Sequence, residues 1–353
     1  DVDVAEIAQE FRLKQNFENG ELLVGAFYSD KLRFDYKENQ TLLTLYPVPV
    51  SSENSLENPD ENIALFTQYK YYVGENHSLM AGVRYQETKR SFSRSMNNFG
   101  AASTQASDET TWKHILPTLS LSYYRDDDSH TYLTYSKGYR PGGYNYRTSD
   151  TLVPFEPETT DSLELGHKRA FNNSMTFNGA LFYNLINNLR VNTFDDNLAT
   201  ITLNANRAYS YGAELELNYK ADNLNVYSTC GIIKTKMSEF SDSPQNEGKN
   251  IIDVPNATAS VGAKYGFTPN YYVQSDVKYV GARYYNVSNS AKESGYAIAN
   301  LGVGYKKSGF EALLYANNLF DKEYVDFMIY APSDNYYHFG DPRVVGVKAS
   351  MSF

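Results

Sequence analysis

Cysteine is nearly absent from this sequence. Cys230 stands alone, so no internal disulfide can form. Long apolar runs are absent as well. No stretch approaches the roughly 18 residues that a membrane helix needs, which excludes a helical membrane protein. It does not exclude a transmembrane β-barrel, whose strands alternate lipid-facing apolar residues with polar interior ones. Positive charge is in short supply: 32 Lys and Arg against 42 Asp and Glu give a net charge of −10, which argues against a nucleic-acid partner. Tryptophan occurs once, whereas there are 32 Tyr and 19 Phe among 353 residues. That much tyrosine fits aromatic girdles at two membrane interfaces or a Tyr-rich binding surface. No signal peptide is visible, because Asp1 opens a charged, polar segment. For an exported protein this is the expectation for a mature chain or a fragment.

What is present is period-2 alternation. In the last residues Val345, Val347, Ala349, Met351 and Phe353 fall on one face, and Gly346, Lys348, Ser350 and Ser352 on the other. The same pattern recurs in Val4–Leu13, Glu21–Phe34, Ile63–Val73, Ser78–Arg90, Ile115–Arg125, His130–Tyr139, Asp161–Ala170 and Met175–Val191. It continues in Arg207–Lys220, Leu224–Met237, Ala257–Phe267, Tyr271–Tyr284, Tyr296–Lys306 and Phe310–Tyr324. About fifteen strands result, most near the ~9–11 residues that cross a bilayer when tilted, and no helix is expected. The connections alternate between short turns and long polar segments. The long ones are Glu38–Asn62, Ser91–Thr111, Arg140–Glu158, Asn192–Asn206, Glu239–Pro255, Asn286–Gly295 and Val325–Pro342. A soluble sandwich has no reason to sort loops by length to one end, whereas an outer-membrane barrel has short periplasmic turns and long extracellular loops. The fold expected is therefore all-β, an antiparallel up-and-down transmembrane barrel. With Phe353 at the periplasmic rim, an odd strand count starts the chain outside. Single-chain bacterial barrels have even counts, so the N-terminus is expected to be incomplete.

Several blocks resemble the TonB-dependent outer-membrane receptors. Asn317-Asn318-Leu319-Phe320-Asp321-Lys322-Glu323-Tyr324, then Gly340-Asp341-Pro342-Arg343 and a terminal Phe, is similar to that family's closing hairpin. Tyr135-Ser136-Lys137-Gly138-Tyr139-Arg140-Pro141-Gly142-Gly143-Tyr144-Asn145 resembles its mid-barrel signature, as do Phe155-Glu156-Pro157-Glu158 and Leu163-Glu164-Leu165-Gly166. Ala205-Asn206-Arg207-Ala208 with Gly212-Ala213-Glu214-Leu215-Glu216-Leu217 is similar to the strand pair that follows. Across residues 130–353 the spacing is most like ferric-siderophore receptors of the yersiniabactin/pesticin kind. The resemblance implies the last 14–15 strands of a 22-stranded barrel, with the plug, the energy-coupling TonB box and the first strands missing from residues 1–353. It also implies active uptake of a ferric-siderophore chelate in the Gram-negative outer membrane. The partners implied are outer-membrane lipids, the TonB complex through the missing N-terminal region, and the barrel-assembly machinery, for which Phe353 would be the insertion signal. A passive porin-like pore or surface-binding barrel without energy coupling is the alternative.

Ligand-binding candidates follow from charge and aromaticity. Tyr139, Arg140, Tyr144, Tyr146 and Arg147 surround a Pro-Gly-Gly turn, where cations and phenols suit an anionic, aromatic iron chelate. The same residues also read as a turn plus an outer aromatic girdle. Arg84 and Arg90 share a face with Gln86 and would point into the channel, pairing with acids such as Glu214 and Glu216, with the plug, or with ligand. Tyr330, Tyr336, Tyr337 and His338 lie on the last long segment, where they either cap a ligand or pack the loop. No catalysis is expected. The five histidines fall in different segments without metal-ligand spacing, there is no Gly-x-Ser-x-Gly elbow, and no cofactor or resident metal is implied. Asp126-Asp127-Asp128 is read as a solvated turn rather than a calcium loop.

Overall fold

A computed structural model describes residues 2–42, 50–97, 104–145, 152–171, 174–194, 200–330 and 335–352. The first strands are β1 (Val2–Phe17), β2 (Gly20–Leu42), β3 (Val50–Glu57), β4 (Asp60–Val73), β5 (His77–Asn97), β6 (Thr104–Asp126) and β7 (Ser129–Arg140). Next come β8 (Gly143–Asn145), β9 (Val153–Phe155), β10 (Glu158–Phe171), β11 (Met175–Phe194), β12 (Thr200–Ala221), β13 (Leu224–Glu239) and β14 (Ala257–Gly266). The set ends with β15 (Tyr271–Val280), β16 (Arg283–Tyr284), β17 (Lys292–Glu293), β18 (Tyr296–Lys307), β19 (Phe310–Asn317), β20 (Val325–Tyr330), β21 (Asn335–Phe339) and β22 (Val344–Met351). One 3-10 turn, Pro244–Asn246, is the only helical element among the described residues.

Sixteen strands hydrogen-bond in one sheet whose order follows the chain, and β8/β9, β16/β17 and β20/β21 are separate hairpins. β3 and β4 share one place: both pair with β2 and with β5. They are interrupted at Asn58-Pro59, where proline has no N–H to give the ladder. The sixteen strands therefore occupy fifteen places, one for each expected strand. Among the described residues the short turns are also where expected; Asn172-Asn173 lies outside them. At β18/β19, Ser308 and Gly309 both have positive φ (47° and 82°), the backbone that a two-residue turn with strand-matching twist requires.

The long polar segments differ from expectation. β2 runs on to Leu42, β5 to Asn97 and β11 to Phe194, while β3 starts at Val50, β6 at Thr104 and β12 at Thr200. Much of what reads as loop is hydrogen-bonded ladder. A strand with water on both faces needs no apolar side, so its alternation vanishes while its pairing persists. Two expected strands are shorter. Tyr271–Tyr284 stops at Val280, and Phe310–Tyr324 stops at Asn317. The second stop has a clear cause in Asn318, which is buried at φ 47°. Its side chain donates to Lys322 O (2.9 Å) and Asp341 O (3.0 Å) and accepts from Lys322 N (2.8 Å). Asp321 accepts from Arg343 N (2.8 Å). One side chain thus ties off β19 and positions the return into β22.

The chain forms two compact units: Asp1–Leu121 with Tyr135–Asp161 and Ile186–Ala205, and Ser122–Thr134 with Ser162–Leu185 and Asn206–Phe353. In both, many large apolar side chains are exposed. Phe11, Leu13, Leu65 and Leu119 are 50–73% exposed in the first, and Leu181, Leu215, Ile232 and Leu314 are 50–57% exposed in the second. The buried residues include Ser29, Ser78, Thr88 and Ser120. Leaving one Leu or Phe in water costs about 1.5–3 kcal/mol, so such a face is stable only against another apolar phase. Lipid is that phase.

Aromatic rows mark its edges. In the second unit Phe267, Tyr271, Tyr305 and Phe310 form a chain of ring contacts at the turn end. Tyr183, Tyr209 and Tyr211 stack at the loop end. On β12 the outward-facing Tyr211 and Tyr219 are eight residues apart, roughly 26 Å along a strand, which is about 20 Å of height at the tilt of barrel strands and close to that of a lipid-facing band. In the first unit Phe17, Tyr69 and Tyr71 form the turn-end row.

Candidate functional site

The Pro141-Gly142-Gly143 turn, in the first unit, is built into the sheet rather than set on top of it. β4 and β5 place Asp60 opposite Arg90. The guanidinium forks onto that carboxylate, with Nε on Oδ1 and Nη2 on Oδ2 at 2.7 Å, and its Nη1 donates to Gly142 O at 2.6 Å. Both ionic side chains are over 80% buried. Glycine is required here: a Cβ on Gly142 would lie 2.5 Å from Phe155 O and 2.7 Å from the Trp112 ring. β8 then pairs with β9. Tyr144 is 6% exposed, with its ring 5.5 Å from Phe92 and its hydroxyl 2.6 Å from Thr110 Oγ1. Asn145 exchanges two hydrogen bonds with the Thr202 backbone (2.8 and 2.7 Å).

Three arginines meet behind this turn. Arg90 is clamped. Arg140, the last residue of β7, is exposed. Arg190 on β11 lies within electrostatic reach of Arg140, Arg90, Glu158 and Tyr139. Its backbone N–H donates to Glu158 Oε2 at 2.9 Å, and its guanidinium lies 5.0 Å over the Phe155 ring. Yet Arg190 Nε and Nη2 are buried and have no hydrogen-bond partner among the described residues. The Tyr139 hydroxyl is in the same state. Its ring packs 4.0 Å from His114, and the hydroxyl of Thr88 beside it gives its hydrogen to Asn62 Oδ1. Buried donors without acceptors are costly, and a carboxylate, catecholate or phenolate oxygen would satisfy them. A cavity of about 390 Å³ lined by Arg90, Phe92, Tyr144, Asn145, Phe155 and Asn192 adjoins the turn.

The expected site residues thus separate. Tyr139, Arg140 and Arg90 come together. Tyr144 belongs to the scaffold, because its ring and hydroxyl are already satisfied inside. Arg84, six residues from Arg90 along β5, is roughly 20 Å away. It sits between the Phe27 and Phe66 rings, 5.6 Å from each, and bonds Gln86 (3.0 Å). The acidic partner of Arg90 is Asp60, which replaces the expected Glu214 and Glu216. Glu216 accepts instead from Asn178 and Asn218. Tyr146, Arg147 and Phe353 lie outside the described residues. Arg190 is the residue that sequence reasoning missed. It lies within an ordinary strand, β11, and only Asn188 at φ 55° two residues earlier, a position favouring Asn and Gly, marks a local break.

The second unit carries the other aromatic group. Tyr330 packs on Tyr285, Val325 and Met328. Arg283 fastens this cluster, donating to Tyr285 Oη (3.0 Å), Val325 O (3.1 Å) and Asp326 O (2.7 Å). Tyr336 and Tyr337 are 63% and 51% exposed, and His338 Nδ1 lies 4.0 Å from Asp326. Tyr330 and Tyr337 help line a separate cavity of about 310 Å³. Nearby, Asp253 bonds Tyr284 O through its backbone N–H (2.8 Å). Burial pushes its carboxyl above the usual range, and Arg283 pulls it partly back. No group of three His, Cys, Asp or Glu able to hold a metal ion occurs among the described residues.

Residues 4–319 match the family model described as "TonB dependent receptor-like, beta-barrel". The pesticin receptor of Yersinia pestis is 24% identical over 304 residues, covering 83% of this chain and 44% of that protein. The ferrioxamine receptor of Yersinia enterocolitica is 24% identical over 317 residues, covering 88% and 42%. The crystal structure of the ferric yersiniabactin uptake receptor from Yersinia pestis superposes with a TM-score of 0.86 at 20% identity, covering 99% of this chain and 54% of that one. The siderophore receptor PiuA from Acinetobacter baumannii gives 0.81 at 17%, covering 99% and 56%. The chain spans less than half the length of the curated relatives it matches.

Proposed function

This chain belongs to the TonB-dependent receptor family as a β-barrel of the Gram-negative outer membrane, and from that premise we propose that it serves TonB-dependent uptake of a ferric-siderophore complex. The observation that carries the reading to a chemical class is the arginine cluster behind Pro141-Gly142-Gly143. Among the described residues Arg190 holds two buried donors with no acceptor and the Tyr139 hydroxyl has no partner, and Arg140 is exposed beside them. A ferric chelate whose iron is held by carboxylate, catecholate or phenolate groups presents negative oxygens at its rim, and guanidinium groups bind such oxygens in pairs. Aromatic walls at Phe92 and Phe155 suit the planar part of such a molecule. Arg90 positions the turn through Asp60 and Gly142 rather than meeting the cargo. Iron here is part of the cargo and not a resident metal. Names of relatives support the class: pesticin, ferrioxamine and ferric yersiniabactin receptors all appear among them.

Energy coupling belongs to this proposal. The test is iron-limited growth and radiolabelled ferric-chelate uptake by cells expressing the full-length protein, with and without TonB. Uptake that requires TonB supports the reading. Uptake that persists without TonB and scales with ion conductance would make this a passive pore.

A further inference from the structure

A second cationic site lies on the lipid-facing side of the second unit, away from any role assigned above. β12 and β13 pair Tyr209 with Lys236, Tyr211 with Lys234 and Ala213 with Ile232. Alternation fixes the consequence. Lys234 and Lys236 share the outward face with Ile232, which is 57% exposed, and stand level with the loop-end tyrosine row. Lys292 joins them from β17, its ammonium 5.9 Å from the Tyr284 ring centroid. All three lysines line one groove of about 750 Å³. The lower wall of that groove is apolar, formed by Leu181, Tyr211 and Ile232, and Asn250 and Asn256 add amide groups above.

None of the three ammonium groups has a carboxylate within 4 Å among the described residues. The neighbouring acid Glu239 is taken by Arg207 at 3.0 Å. Surface lysines on a chain of net charge −10 have many acids to choose from, so three unpaired ones on a single groove form a distinct feature. They also stand where the apolar band ends, the depth at which lipid headgroups begin. Lysine stems can lie along the apolar wall with the ammonium groups raised into that layer.

We propose that this groove holds one phosphate-bearing glycolipid of the outer leaflet, with its acyl chains against Leu181, Tyr211 and Ile232 and its phosphate between Lys234, Lys236 and Lys292. Charge complementarity selects the headgroup, because a zwitterionic lipid leaves the lysines without a net counter-charge. The apolar wall selects a lipid over a free anion. Each lysine near an anionic headgroup strengthens binding by roughly fivefold, so loss of all three weakens retention by about a hundredfold.

The test is native mass spectrometry of the full-length protein in detergent after incubation with a bis-phosphorylated glycolipid, the same glycolipid dephosphorylated, or phosphatidylethanolamine. The wild-type protein should retain one phosphorylated glycolipid and neither of the others. The Lys234→Gln/Lys236→Gln/Lys292→Gln variant should lose it, while Lys307→Gln, at the turn end, should keep it. Inorganic phosphate at millimolar concentration should not displace the lipid. Equal retention by the triple variant, equal retention of the dephosphorylated lipid, or displacement by phosphate alone would each overturn the proposal. Thermal unfolding of the triple variant without added lipid checks that the barrel itself is intact.

Discussion

The two cationic regions use different residues for a physical reason. Behind Pro141-Gly142-Gly143 the cations are arginines on strands, with one clamped between Asp60 and a backbone carbonyl and another held over an aromatic ring. On the lipid-facing groove they are lysines on flexible stems with no clamp. A planar guanidinium with fixed donors recognises the shape of a chelate. An ammonium at the membrane interface follows a mobile headgroup as a point charge. In the proposed roles the first region is costly to assemble and selective, and the second is adaptable and worth a little per residue.

That contrast predicts where substitutions hurt. Arg90→Ala is expected to have the largest effect. It strands the Asp60 carboxylate and frees the turn, at a cost of about 3 kcal/mol, read by denaturant unfolding of the full-length protein in micelles. Arg90→Lys should restore charge without the fork and recover only part of it. Gly142→Ala follows, with a new methyl pressed on Phe155 O and Trp112 and a cost of about 2 kcal/mol. A shifted Trp112 emission spectrum would report it. If Gly142→Ala is neutral, the turn is looser than described. Arg190→Met should leave stability unchanged or raise it, since an uncompensated buried cation is removed. The same change should lower affinity for an anionic ferric chelate about tenfold, which is about 1.4 kcal/mol.

The smallest effect concerns Asp253. Its folded carboxyl sits above the ordinary range because it is buried. The folded state therefore binds that proton more tightly than the unfolded chain does. The loop gains stability as pH falls through the raised value and is least stable when the carboxylate is ionised. Amide exchange in residues 250–256, corrected for intrinsic rate, should slow on mild acidification, and Asp253→Asn should flatten the response.

The strands were legible because each faces two different solvents, so Leu215 and Leu217 alternate with Glu214 and Glu216. Beyond the membrane both faces meet water. The ladder of β2, β5 and β6 then continues with no periodicity to announce it. Arg140 could be picked out by its place beside the glycines, and Arg90 by the strand face it shares with Gln86. Arg190 could not, because its burial depends on Phe155 and Glu158, more than thirty residues earlier. Tyr144 was legible as a loop aromatic but not as an internal one, since its hydroxyl partner Thr110 lies in a segment that reads as unstructured. The Asn317-Asn318 block was visible as a motif, whereas its use, the three side-chain hydrogen bonds of Asn318 that end β19, required three dimensions.

Arg190, with its buried and unpaired donors, is proposed to give the preference for anionic cargo. The direct measurement is equilibrium binding of an anionic and a neutral ferric chelate to the full-length protein and to its Arg190→Met variant. Wild type is expected to bind the anionic chelate more tightly, and the variant to lose that advantage with neutral-chelate affinity unchanged. An equal preference in both proteins, or a parallel loss for both chelates, would contradict it.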